Sequence, residues 1–117
     1  MVYKVDQNQK ELIEAAKKLG FSVKNTAMVK DGFVDVVLGI HGLNFLIEIK
    51  NPSGPSTQQK LTIMEEKFHR EWNGSTHIVK TIDDLILIKK EALQMSQVLK
   101  ALEKEYIKPA TTLFTYN

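Results

Sequence analysis

Two apolar, β-branched runs, Phe33 to Ile40 and Leu43 to Lys50, are separated only by His41-Gly42. So short a break leaves room for a tight turn and nothing more, so the runs are expected to pair as antiparallel neighbours. Phe21 to Val29 reads as a further extended segment, closed by the turn signal Asp31-Gly32, and the three together make a meander. Asn51-Pro52 ends the last of these strands and Gly54-Pro55 extends the loop, because proline disfavours helix before it and cannot donate to a ladder.

Helices are expected on both sides of the meander. Asp6-Gln7-Asn8-Gln9 has the form of a capping box, followed by Leu12, Ala15, Ala16 and Leu19 at helical spacing, with Lys17, Lys18 and Gly20 closing the segment. Downstream, Ser56 with Gln59 has the same form, and Leu61, Met64, Phe68 and Trp72 make one apolar stripe ending at Asn73-Gly74. Thr76 to Lys80 then reads as a strand, so strand, helix and strand form a right-handed crossover with the last strand parallel to Leu43–Lys50. After Thr81, a candidate N-cap, residues Leu85, Ile88, Ala92, Met95, Leu99, Leu102 and Tyr106 step by threes and fours. Such a heptad stripe serves either a helix packed on its own sheet, the commoner use, or the seam of a homodimer.

The expected fold class is α/β, a mixed central β-sheet flanked by helices. With 117 residues there is room for one core and one site. Residues 1–90 make that core, and residues 91–117 are a C-terminal helical extension and tail of the same domain. No apolar run reaches membrane-spanning length, the first ten residues are too polar for a signal peptide, and a cytoplasmic location is expected. The chain has no cysteine, which excludes disulfides and thiolate metal sites and leaves oxygen and imidazole as metal ligands. A formal charge of +2 neither demands nor forbids an anionic partner, since phosphate binding depends on local patches.

Alternation along Leu43–Lys50 puts Leu43, Phe45, Ile47 and Ile49 on one face and Asn44, Leu46, Glu48 and Lys50 on the other. Asp35 interrupts the neighbouring apolar run on the face opposite Val34, Val36, Leu38 and Ile40, and pairing through a turn at 41 or 42 brings it close to Glu48. Two carboxylates and an ammonium thus converge at a strand end. Charges set in apolar strands need compensation, and a hard divalent cation such as Mg2+ or Mn2+ supplies it. The alternative is an Asp35–Lys50 salt bridge with Glu48 simply solvated. His41, His69 and His77 have no metal-ligand spacing among themselves.

Val34-Asp35, twelve intervening residues, then Glu48-Ile49-Lys50 resembles the motif of the PD-(D/E)XK nuclease superfamily. The likeness extends through Gly32–Gly39, Asn44–Lys50, Lys60-Leu61-Thr62, Phe68-His69 and Trp72, which makes His69 the histidine to watch. It spans about residues 6 to 88 and looks like small phage-type members related to the VRR-NUC and Holliday-junction-resolvase-like groups. The resemblance implies a restriction-endonuclease-like αβββαβ core followed by a C-terminal helix. It also implies an upstream glutamate shortly before a helix-ending glycine. Glu11, nine residues ahead of Gly20, matches, with Glu14 as the second choice. Val34 replaces the usual proline, and Glu65 stands where a glutamine is common, with Gln58 or Gln59 as substitutes.

The activity implied by the resemblance is that of a metal-dependent DNA endonuclease, structure-directed toward junctions, flaps or nicks, acting in phage or mobile-element DNA processing. Asp35, Glu48 and Glu11 would hold Mg2+ or Mn2+, and Lys50 would orient the attacking water and stabilise the transition state. Lys24, Lys30 and Lys60 would contact phosphates without reading sequence. The alternative function is a catalytically silent nucleic-acid-binding or assembly module that keeps the fold.

Overall fold

The computed structural model describes residues 3–106, apart from the side chains of residues 3–6, Thr57 and Gln58. Its elements run α1 (Tyr3–Lys18), β1 (Ser22–Asn25), β2 (Val36–Ile40), β3 (Leu43–Ile49), α2 (Ser56–Gln59), α3 (Ile63–Glu71), β4 (Thr76–Val79) and α4 (Ile82–Tyr106). The four strands form one sheet in the order β1-β2-β3-β4. The first three are antiparallel and β4 joins β3 in parallel. The fold is therefore α/β with a mixed sheet, as the alternation of runs requires.

The β2–β3 hairpin sets the register for everything else. His41 (φ 54°) and Gly42 (φ 79°) both take the left-handed conformation, which matches the twist of the flanking strands. Ile40 consequently faces Leu43 and Val36 faces Ile47. Asp35 lies just beyond the last paired residue, and its N–H still donates to Ile47 O at 3.1 Å. β1 is shorter than its apolar run: Asn25 Oδ1 accepts from Ala27 N at 2.9 Å and Thr26 Oγ1 donates to Val34 O at 2.7 Å, so side-chain bonding turns the chain away from the ladder.

The core occupies one face of the sheet. Val36, Leu38, Phe45, Ile47, Ile49 and Val79 pack there against Leu12 and Ala16 of α1 and Leu85, Ile88 and Ala92 of α4. The opposite face is covered in part by α3, which buries none of its own residues. Met64 and Trp72, two members of its expected stripe, are exposed. Among the described residues no helix is long and apolar enough to cross a membrane.

Helix boundaries depart from expectation in three places. α1 starts at Tyr3, so Asp6 lies inside the helix rather than capping it. Ser56 and Gln59 do not form a capping box: α2 has no side-chain cap, and Gln59 Nε2 donates to Gly54 O at 2.7 Å. The capping box belongs instead to Thr62 and Glu65, which open α3. By contrast Thr81 does open α4, exchanging bonds with Asp84 (Thr81 N to Asp84 Oδ2, 3.0 Å; Asp84 N to Thr81 Oγ1, 3.4 Å).

α4 is one continuous helix of 25 residues that runs through the expected boundary at residue 90. Its buried line is Leu85, Ile88, Ala92 and Ser96. Beyond Ala92 the packed face thus drifts off the heptad onto Ser96, because a straight helix precesses against a strict seven-residue repeat. Met95 is 52% exposed, and Leu102 and Tyr106 also face solvent. The tail from Pro109 onward lies outside the described residues.

Candidate metal and phosphate site

The site forms at the end of β3, on the face away from the core. The hairpin register carries Asp35 opposite Glu48, since Val36 pairs with Ile47. Asp35 Oδ2 accepts the Ile49 N–H at 2.7 Å. One of its oxygens is thereby fixed by the backbone that also carries Glu48, and the Asp35 side chain also meets the Glu48 carboxyl.

Glu48 is 1% exposed, the most deeply buried ionisable group described. Its Oε1 has no hydrogen-bond partner. Burial, then the adjoining Asp35 carboxyl, then Glu65, push the Glu48 carboxyl up to about 10, because each disfavours a second negative charge in a poorly solvated place. At neutral pH Glu48 holds a proton unless a cation replaces it.

α3 supplies two more groups. Lys50 Nζ donates to Glu65 Oε1 at 2.9 Å, with both side chains mostly buried. Glu65 Oε1 also accepts the Thr62 N–H at 2.9 Å, as half of the capping box. Burial raises the Glu65 carboxyl, but the bonds from Lys50 and Thr62 outweigh it and hold the group below the ordinary value. One turn further along α3, His69 Nε2 lies 3.8 Å from Glu48 Oε1 and is likewise buried without a partner. Burial holds the imidazole below its ordinary pKa, so it is neutral at pH 7 and has the character of a metal ligand.

Of the residues expected from sequence, Asp35, Glu48 and Lys50 are brought together. The Asp35–Lys50 salt bridge does not form: Lys50 binds Glu65 rather than Asp35, and Glu48 is buried rather than solvated. Glu11 is not brought in. It is exposed on α1 and accepts from Gln7 Nε2 at 3.1 Å, on a helix that packs against the other face of the sheet. Glu14 is exposed on the same helix. α1 does reach the end of β3 through Asn8 Nδ2, which donates to Lys50 O at 3.3 Å. Glu65 and His69 are the site members the motif alone did not assign. Their spacing of four on a helix was the available signal, since it puts both on one face. Gln59 is engaged with Gly54 O, and the Gln58 side chain lies outside the description.

The residues fit a divalent cation in one respect. A buried carboxylate oxygen and a buried imidazole nitrogen, both without partners, face one another, which is costly unless something sits between them. Among the described residues no three carboxylate or imidazole side chains converge as a complete cage; a cation held here would complete its shell with water or a phosphate oxygen. No protein-family model, curated protein or solved structure matches the chain.

Proposed function

We propose that the protein is a metal-dependent DNA endonuclease of restriction-endonuclease-like fold, hydrolysing phosphodiester bonds at branched, nicked or otherwise irregular sites in phage or mobile-element DNA. The element order α-β-β-β-α-α-β, with the short α2 ahead of α3, followed by a long helix is compatible with that fold. The observation that carries the reading is Glu48: a fully buried acid with a partnerless oxygen, set beside Asp35 and two residues from Lys50. Either a proton or a cation relieves such a group, and a cation is the occupant that also gives Asp35 and Lys50 a role.

A bound Mg2+ or Mn2+ would polarise the phosphate and acidify a water. Asp35, through the oxygen not committed to Ile49, and Glu48, once deprotonated, would hold it, with His69 beside them. Lys50 would leave Glu65 for the phosphate and stabilise charge developing in the transition state. Glu65 would keep the ammonium poised until substrate arrives. Among the lysines expected to meet phosphates, Lys24 lies on the same sheet face as Glu48, two strands away in register with Val37 and Leu46.

One observation favours a second reading, a nucleic-acid-binding module without catalysis: Lys50 is tied to Glu65 at 2.9 Å. Cleavage assays with manganese on flap, junction and linear DNA separate the two. The endonuclease reading expects metal-dependent products that disappear in Glu48→Gln and Lys50→Met; binding without any products supports the silent module.

A further inference from the structure

The face of α3 that reaches Glu48 continues into an aromatic cluster that the proposed chemistry does not use. Phe33 packs edge-on to Phe68 with ring centroids 5.2 Å apart. Trp72 stacks on Phe68 at 5.2 Å with 25° between the planes. The indole is held in place from a second side. A Cβ at Gly74 would lie 2.5 Å from Trp72 Nε1, so the ring rests where only a glycine leaves space. With one face on Phe68 and an edge on Gly74, Trp72 still exposes 47% of its surface. The stack on Phe68 and the close approach to Gly74 set the orientation of the indole without a ligand.

We infer that Trp72 is a stacking platform for an unpaired nucleobase, and hence that the substrate carries single-stranded or unpaired nucleotides beside the bond to be cut. The inference deepens the nuclease reading and rests on it for the identity of the polymer. Its position argues for a nucleic acid over other apolar ligands. Three contacts lead from the indole to the candidate site: Trp72 to Phe68, Phe68 to His69 at 6.1 Å, and His69 Nε2 to Glu48 Oε1 at 3.8 Å. The indole therefore lies within the length of a few nucleotides of the candidate site.

Exposed cations lie on both elements that meet at the aromatic cluster, alongside the exposed acids Glu66 and Glu71 of α3. Lys67 is exposed on α3, and Lys30 is exposed on the loop before β2. That loop touches α3, since a Cβ at Gly32 would fall 2.6 Å from Met64 O. Neither lysine enters an ion pair among the described residues. Aromatic planes flanked by cations bind single strands with little regard to sequence, because every base offers a π-face and every nucleotide a phosphate. A base within a paired duplex has both faces occupied and cannot use the platform.

Trp72 is the only tryptophan in the chain, so its fluorescence reports stacking directly. Glu48→Gln protein, unable to cut, is titrated in magnesium with a single-stranded oligonucleotide, with the same sequence as a duplex, and with an abasic strand of equal length. Saturable quenching by the base-bearing single strand, absent or much weaker with duplex and abasic strand, is the expected result. Equal quenching by all three, or none, overturns the platform. In parallel, Trp72→Leu keeps an apolar contact for Phe68 and should weaken single-strand binding roughly 5- to 150-fold, with duplex binding unchanged; equal binding of single strand by wild type and Trp72→Leu also overturns it. The two readings fail separately. Selective quenching without metal-dependent cleavage leaves the platform standing and removes the nuclease, whereas cleavage by wild type with unchanged substrate preference in Trp72→Leu does the reverse.

Discussion

Glu48→Gln should make the metal-free protein more stable at neutral pH and flatten its dependence on pH. In the folded chain the carboxyl titrates near 10, against an ordinary value of 4.5. Between those limits the folded state holds one proton more than the unfolded state. Stability must then fall as pH rises, by at most roughly 1 to 1.5 kcal/mol per pH unit. From 4.5 up to pH 7 this sets a ceiling of about 3 kcal/mol, and relaxation or water entry around the carboxylate reduces it, so a gain of about 1 to 3 kcal/mol is expected for the variant. His69 and His77, both held by burial below the ordinary 6.5, act with the opposite sign. Unfolding lets them bind protons, so their contribution to stability is lost as pH falls below about 6.5 and is constant above about 7.5. The clean window is therefore roughly pH 7.5 to 9. Urea unfolding of wild type and Glu48→Gln in EDTA across that window should give a falling curve for wild type and a nearly level one for the variant. Parallel curves would refute the reasoning and show that Glu48 is solvated and charged in the folded protein.

Manganese should raise the melting temperature of wild type by several degrees, since a ligand at about a hundredfold excess over Kd adds roughly 2.7 kcal/mol; the shift should grow with pH as Glu48 releases its proton and vanish in Glu48→Gln, and an equal shift in both proteins would rule out a metal at this carboxyl. Charge repulsion alone would make Asp35→Ala stabilising, but the 2.7 Å bond from Ile49 N–H reverses the sign: about 1 to 3 kcal/mol should be lost by leaving that donor unpaired, and thermal melts in EDTA check it. Lys50→Met should retain the fold and lose cleavage by a factor of about a hundred to a thousand, as for removal of one transition-state donor; wild-type rates in a single-turnover assay would sink its assigned role. The exposed distal stretch of α4, with Met95 and Leu102, should pair with a second copy, so light scattering is expected to give a dimer mass and Leu102→Glu a monomer; a wild-type monomer at micromolar concentration would remove the proposal.

Much of the fold was legible because it rests on periodicity and turns. The alternation in Leu43–Lys50 and the break at His41-Gly42 determine the hairpin, its register and the side of the sheet that carries Glu48. Capping was less legible because two segments compete for the same role. Ser56-x-x-Gln59 and Thr62-x-x-Glu65 have the same form, and the winner is decided by a contact far away in sequence, since Glu65 is also drawn to Lys50. The stripe of α3 also misled. Its spacing put four residues on one stripe, yet Phe68 packs on Phe33 while Met64 and Trp72 stay exposed. In α4 the heptad suited either a helix on its own sheet or a homodimer seam; the helix packs on the sheet through Leu85, Ile88 and Ala92, and past that point the buried position moves to Ser96 while Met95 is exposed.

The site divides along the same line. Asp35, Glu48 and Lys50 lie on paired or consecutive strand positions, so strand geometry alone brings them together. Glu11 and Glu65 depend on where helices end up, which is a tertiary outcome. α1 goes to the face of the sheet that offers Val36, Leu38 and Ile47, and this takes Glu11 away from Glu48. α3 is left with the other face, which brings Glu65 and His69 to the carboxyls. The same division accounts for the raised carboxyl of Glu48. Asp35 sits at a strand end where Ile49 N–H can satisfy it; Glu48, inside the ladder, has Asp35, Glu65 and the imidazole of His69 around its side chain, and the nearby Lys50 ammonium is bonded to Glu65 instead. A residue placed so by its neighbours is stable only when protonated or when bound to a cation, and pH and metal therefore compete for one oxygen.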